Sequence, residues 1–541
     1  MNANNQSTLL RELSDAVRIS DLRRAAEIAS GAIDSGAAHP AFHNARALWA
    51  EQQGQYQLAL GEFQRALTFT PSSAVLLSAI GLCLVRMNRV AEGIVYFDRS
   101  LAIEPNDPDT HYRKGWALAN AGDQAAARQA YERAIALRPD FPQALAALAA
   151  IAARDGRREE ARSLADRALS LSPREPAAIV ALSICDIAER NHAAAEQRLA
   201  PMLGEPNIPP HTRALMLGFH ADALDGLGRY AEAFAEYSAK NEELRRIHAG
   251  RMGPARTVQF VDMLDDCMMH APAEVWSAAP PATPGADDPR SHVFLLGFLR
   301  SGTTLLEQIL AMDPAVAVSE ERETLSDAAQ RYLTGAEGLA RLAAAPPDEL
   351  DRARAIYWSR VRSHGIEPAG KVLIDKQPLN TFNLPLIARL FPTARILFAL
   401  RDPRDVVLSC FRRHFEVNAT VFELLALEDA ARFYSSVMNL AQTCRERLPL
   451  VIHDHRYEDM VADFDTHVRA ACDFAGITWS QSMRDFGEAA RARTIRSPSA
   501  AQVRRELYGE GVGQWRNYRE GLAPVLGMLA PWVERFGYPA D

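Results

Sequence analysis

The stretch GFLRSGTT, Gly297 to Thr304, sets one guanidinium (Arg300) and three hydroxyls (Ser301, Thr303, Thr304) around Gly302. An apolar run, HVFLLG, leads into it, and TTLLEQILAM, with helical spacing, leads out. Backbone N–H groups at such a strand–turn–helix corner, with the positive end of the helix behind them, form an anion cradle. The spacing Gly297-x4-Gly302 matches a nucleotide-binding P-loop, but Thr303 stands where that loop carries its lysine. An NTPase needs that lysine and a magnesium ion held by an acidic strand end. The sequence offers no acidic partner of that kind, so Arg300 is the charge this loop brings to an anion.

Three other stretches carry residues of matching chemistry. In ARILFALRDPRDVVLSCFRRHF an apolar run ends at Arg401, and Ser409 follows eight residues later inside the next helix. A guanidinium forms paired hydrogen bonds to phosphate, and a hydroxyl completes the cradle. In KVLIDKQP, Lys376 follows another apolar strand and precedes a proline. DPAVAVSEERETL offers Glu320, Glu321 and Glu323, carboxylates suited to taking a proton from an attacking hydroxyl. VIHDHRYED places His453 and His455 on one face of a strand with Asp459 nearby. No third histidine follows at ligand spacing, and the expectation is no metal.

LRSGTTLLEQIL resembles the 5′-phosphosulfate loop of the sulfotransferases that use 3′-phosphoadenosine 5′-phosphosulfate (PAPS). It is most similar to the tyrosylprotein sulfotransferase branch, whose loop reads PRSGTTL, and the resemblance covers most of residues 291–541. It implies that Arg300, Ser301, Gly302, Thr303 and Thr304 bind the 5′-phosphosulfate, and that Arg401 and Ser409 hold the 3′-phosphate. Lys376 is then the residue facing the bridging oxygen of the breaking S–O bond, where a cation helps the transition state most. Counted without gaps from Arg300, the branch's catalytic base falls on Glu321, with Glu320 and Glu323 as its close alternatives. RYEDMVAD, around Tyr457, resembles the segment beside the adenine. RSPSAAQVRREL offers Ser499, or else Ser497, to accompany the lysine. GEGVGQWRNYREGL resembles the glycine-rich loop and tryptophan that close over the 3′-phosphate in other sulfotransferases. It lacks their leading Arg-Lys pair, which puts direct contact by Gly511 or Gly513 in doubt and leaves Trp515 readable as packing. The implied donor is PAPS, and the acceptor is a hydroxyl on a peptide tyrosine, a sugar or a small molecule.

The first half of the chain repeats itself. Pro71, Pro105, Pro139 and Pro173 fall 34 residues apart, and fixed offsets before them recur in kind. Ala66, Ser100, Ala134 and Ala168 are one such set; Phe63, Phe97, Tyr131 and Ala165 are another; Ala47, Gly81, Gly115 and Ala149 mark an early small position. This resembles the tetratricopeptide repeat. Small side chains let two antiparallel helices approach closely, and proline stops the second before the next unit. Units are expected from about Leu9 to about Leu244. The resemblance implies a concave surface for a protein or peptide partner. SAAPPATPGADDPR, Ser277 to Arg290, reads as a linker.

The expected architecture is therefore a tetratricopeptide α-solenoid (1–245), a helical connector and Pro/Ala-rich linker (246–290), and a P-loop-like α/β sulfotransferase domain with a central parallel sheet (291–541). A net charge of −8 argues against general nucleic-acid binding. Six scattered cysteines without a CxxC point to a reducing compartment, and the first twenty residues lack a signal peptide's basic and apolar regions. With no apolar run long enough to span a bilayer, the expected location is cytoplasmic. Two rival readings follow from the same residues. One is a P-loop-like kinase or NTPase. The other is a repeat scaffold whose second domain binds PAPS or a partner without catalysis.

Overall fold

The computed structural model describes residues 3–250, 252, 257–272, 276, 288–488 and 511–541. The chain forms two compact units, Met1–Ile208 and Pro209–Asp541.

The first unit is a stack of short helices, from Ala3–Arg18 to His192–Leu203, packed as successive antiparallel pairs. The small repeat positions lie where paired helices cross. A Cβ at Gly81 would meet the Phe97 ring at 2.8 Å, and one at Gly115 would meet the Tyr131 ring at 2.7 Å. Each aromatic thus fills the space its small partner leaves open. Proline or a polar N-cap starts several of these helices, as at Pro108 behind Asp107 and Pro142 behind Phe141.

The second unit is built on a five-stranded sheet in the order β2-β3-β1-β4-β5, with every neighbouring pair parallel. The strands are β1 (Ser291–Gly297), β2 (Val316–Glu320), β3 (Val372–Lys376), β4 (Arg395–Leu400) and β5 (Val451–Arg456). The three inner strands are near-continuous apolar runs because helices cover both faces. From β1 the chain crosses to β2 and β3 on one side, then to β4 and β5 on the other. The strand order reverses beside β1, which is where open α/β sheets bind ligands.

The helical pair Pro210–Gly226 and Tyr230–His248 reads in sequence as the last repeat, with a boundary at residue 245. By its contacts it falls in the unit that holds the sheet, and the division comes earlier, at Ile208/Pro209. The reason is its buried face. Ala221, Leu224, Ala233 and Tyr237 share one core with the sheet residues Phe294, Ile396 and Phe398, and Val261, Leu264 and Met268 of the helix Thr257–His270 join the same core. Lys240, fully buried, donates to the carbonyls of Phe411, Arg412 and Arg413 at 3.4, 3.0 and 3.2 Å. The amine satisfies bare carbonyls at the end of the helix Pro403–Arg412, and burial lowers its pKa to about 7.

Behind the sheet a polar chain crosses the core. His292 lies among Phe294, Tyr357, Trp358 and Phe391 and is 2.8 Å from the Tyr357 hydroxyl, which donates to Asp375 at 2.8 Å. Burial depresses the imidazole to about 3. Between pH 6.5 and that value the unfolded chain binds a proton that the folded chain refuses, so His292 lowers stability as pH falls. Replacing His292 with phenylalanine should flatten the pH dependence of the unfolding midpoint across that window, by up to one proton. Denaturant titrations at stepped pH check this; an unchanged slope would mean the ring is already charged in the folded protein.

Candidate active site

All five strands deliver residues to one end of the sheet, their carboxyl end. β1 runs into the loop Phe298–Gly302, and the helix Thr303–Leu310 follows. Two glycines make the turn possible. Gly297 has φ 148°, and a Cβ there would lie 2.6 Å from the Ala399 carbonyl oxygen on β4. Gly302 has φ 94°, and a Cβ would press on the Tyr457 ring at 2.9 Å. Between them Arg300 takes a left-handed backbone, φ 68°. Thr381 ties the loop to the segment after β3 by donating to the Gly297 carbonyl at 2.8 Å.

A cavity of about 540 Å³ opens above this end. Arg300, Gly302, Thr303 and Thr304 line it from the loop, Glu321 and Glu323 from beyond β2, Arg401 and Ser409 from beyond β4, and Tyr457 from beyond β5. Ser301 is buried beneath the loop. Arg300 Nε donates to Ser409 Oγ at 3.1 Å, and Arg401 donates to the Arg300 carbonyl at 3.0 Å. The two arginines and the serine are therefore joined in one hydrogen-bonded cluster. Arg401 lies over the Tyr457 ring at 5.1 Å, and its buried Nε has no hydrogen-bond partner among the described residues.

The β2 and β3 ends of the sheet bring carboxylates to the cavity wall and a lysine against one of them. β2 and β3 pair Glu320 with Lys376, and the Glu321 N–H donates to the Lys376 carbonyl at 2.8 Å. The chain then turns through a second left-handed residue, Glu321 itself, φ 45°. This aims the Glu321 carboxylate back at Lys376, 2.7 Å from Nζ. Glu321 is a quarter exposed and lines the cavity; Lys376 is fully buried and reaches the cavity through Glu321. Glu323 is on the wall too, whereas Glu320 is not among the lining residues. Burial alone would depress the lysine, but Glu307 and Glu321 outweigh it and hold its pKa above the ordinary value.

Asp405, Glu458, Thr381 and Glu307 support the site and were not singled out in sequence. Asp405 accepts from the backbone N–H groups of Gly513 and Trp515 at 2.6 and 2.8 Å, so it anchors the glycine-rich segment. Gly511 lines the cavity and its carbonyl accepts from Arg401. Trp515 is buried with the Arg404 guanidinium 3.8 Å from its ring centre, which is packing. Glu458 accepts from the Asp402 N–H at 3.0 Å, and Thr381 holds the loop as described. The fourth, Glu307, is fully buried on the helix Thr303–Leu310. The run TTLLEQIL carries no sign that its one acidic residue faces inward. Ser497 and Ser499 lie outside the described residues. His455 is buried beside Met460 and His453 stacks on Phe474. Among the described residues no group of three or more His, Cys, Asp or Glu is placed to hold a metal ion, and no helix is long and apolar enough to cross a membrane.

Residues 292–481 match the model of the Sulfotransferase family, and residues 10–74 and 108–141 match tetratricopeptide repeat models. The chain thus joins a tetratricopeptide-repeat region to a C-terminal sulfotransferase-family domain. Among curated proteins it is 25% identical over 259 residues to an uncharacterized protein of Aquifex aeolicus (strain VF5), covering 46% of this chain but 33% of that protein. It is 26% identical over 266 residues to the protein-tyrosine sulfotransferase 2 of Gallus gallus, covering 46% of this chain and 69% of that one. Over 143 residues it is 32% identical to the human protein-tyrosine sulfotransferase 1, covering 25% of this chain and 38% of that one.

Proposed function

We propose that the second unit transfers a sulfonate group from PAPS to an acceptor hydroxyl, the phenol of a protein tyrosine being the acceptor favoured by the named relatives. The observation that carries this reading is the meeting of Arg300, Glu321, Arg401, Ser409 and Tyr457 around one cavity, with Lys376 against Glu321. The residues fit the donor. Arg401 has a buried Nε with no hydrogen-bond partner among the described residues, and Arg300, Ser409, Thr303 and Thr304 line the same cavity, as an anionic donor requires.

When bound, the donor supplies an activated sulfonate with a good leaving phosphate. Arg300, Thr303, Thr304 and the loop N–H groups hold its 5′ end, Arg401 and Ser409 its 3′-phosphate, and Tyr457 the base side. Ser499 is assigned to steady Lys376. Glu321 takes the proton from the acceptor oxygen as the new O–S bond forms. The S–O bond to the 5′-phosphate breaks, its electron pair stays on that phosphate, and Lys376 offsets the charge arriving there. Phe382 and Phe415 on the cavity wall suit an aromatic alcohol. The repeat region is assigned to bringing in the acceptor protein or a partner.

Full-length protein with radiolabelled PAPS and tyrosyl peptides, p-nitrophenol or simple sugars is the direct test. Label should move to a phenolic hydroxyl. Magnesium-dependent ATP turnover in place of that transfer would favour the kinase reading. Arg401→Ala should raise the KM for PAPS by at least about tenfold with kcat within about threefold, because a phosphate anchor acts alike in ground and transition states. A large kcat loss at unchanged KM would move Arg401 out of the anchoring role.

A further inference from the structure

Glu307 has no part in the chemistry above, yet it is a fully buried carboxylate with Oε2 3.3 Å from Lys376 Nζ. Lys376 is thus held between two carboxylates, Glu307 on the helix side and Glu321 on the cavity side. The two differ in access. Glu321 is a quarter exposed and can meet an acceptor, while Glu307 has no exposed surface.

The difference matters during the reaction. Once Glu321 takes a proton, its negative charge is gone and Lys376 loses its nearer partner. An ammonium buried without a counter-ion deprotonates or moves toward water. Lys376 would then fail just when charge builds on the leaving phosphate. We propose that Glu307 is a positioning residue for Lys376, the counter-ion that takes over from Glu321 and keeps the ammonium charged and in place once Glu321 has been neutralised. This rests on the sulfonate-transfer reading of the site.

The charges acting on Glu307 come from Lys376 on β3 and from Glu320 and Glu321 at the end of β2. Arg484, on the turn Gln481–Asp485 packed against the same helix, is engaged with Asp465 at 2.9 Å. Burial pushes the Glu307 carboxyl up to about 8 against the pull of Lys376. Below that value the carboxyl is largely protonated while Glu321 is charged; the Glu321 charge helps to hold it up, so neutralising Glu321 favours the ionised Glu307 as Lys376 comes to need a counter-ion.

Two neutral replacements test the idea in the full chain, Glu307→Gln, which keeps shape and polarity, and Glu307→Met, which keeps volume. The alkaline limb of the kcat–pH profile should move down by about one unit or more in whichever variant folds, with affinity for 3′,5′-adenosine bisphosphate within about twofold of the parent. A second readout needs neither donor nor acceptor. The chain has only four lysines, Lys114, Lys240, Lys371 and Lys376, so side-chain nitrogen NMR of lysine-labelled protein can follow Lys376 alone. Its titration should move down in the same variants. An unmoved alkaline limb, including one with a uniform loss of rate at every pH, together with an unmoved Lys376 titration, overturns the proposal. If the parent chain transfers no sulfonate, the transfer reading fails, and the lysine titration still decides the role of Glu307.

Discussion

Glu321→Gln is expected to lower kcat by roughly 10²- to 10⁴-fold, the usual loss on removing a general base. Affinity for 3′,5′-adenosine bisphosphate, measured by calorimetry, should stay within about twofold of the parent, because Glu321 pairs with Lys376 and takes no part in the hydrogen bonds of the arginine cluster. Glutamine keeps an oxygen for the Lys376 ammonium, so the geometry at 2.7 Å has a substitute while the proton acceptor has none. Glu320→Gln and Glu323→Gln are the necessary companions. If Glu323→Gln is the dead variant and Glu321→Gln turns over normally, the base is the other carboxylate on the cavity wall. If all three variants retain turnover, no carboxylate here serves as the base and the mechanism is wrong.

The second large effect is on folding. A fragment beginning at residue 209 should unfold cooperatively and bind 3′,5′-adenosine bisphosphate as the full chain does, since every residue lining the cavity lies after that point. A fragment beginning at residue 288 should fail to fold. It lacks Leu224, Tyr237, Val261, Leu264 and Met268 from the shared core and Lys240 from the helix end. At about 1.5–3 kcal/mol for each large apolar side chain, that loss is as large as the roughly 5–15 kcal/mol by which whole domains are stable. Thermal unfolding and a calorimetric titration on both fragments decide it. A cooperative, ligand-binding fragment from residue 288 would show that the helices 210–270 are an accessory to the sheet domain and no part of its core.

Much of this was legible in the sequence, for stated reasons. The 34-residue period exposes the solenoid because each unit must repeat the same close helix crossing, as at Gly81 and Gly115. Arg300, Lys376 and Arg401 stood out because each ends an apolar run that only a buried strand explains. Glu321 came from counting along the loop, and its meeting with Lys376 needed the β2–β3 register. The helical pair 210–248 was assigned with the repeats because its pattern is theirs; what its outer face packs against is a tertiary fact. Lys240 and Glu307 were missed for one shared reason. A charged residue in a helix looks solvent-facing until the partners that justify its burial, three carbonyls or a lysine, arrive from distant parts of the chain.

The left-handed backbone at Arg300 and Glu321 sets the site against the stability of its own scaffold. A side chain in that conformation is less comfortable than glycine by about 1–2 kcal/mol, and both residues are ones on which the chemistry is proposed to depend. A selection for thermal resilience alone would favour glycine at these two positions and disarm the loop in the same step. On the proposed chemistry the protein therefore holds two of its reacting groups where the fold would gain by giving them up, and hardening it without loss of activity means leaving both untouched and working elsewhere, as at the other left-handed residues Ser20, Asn88 and Arg190.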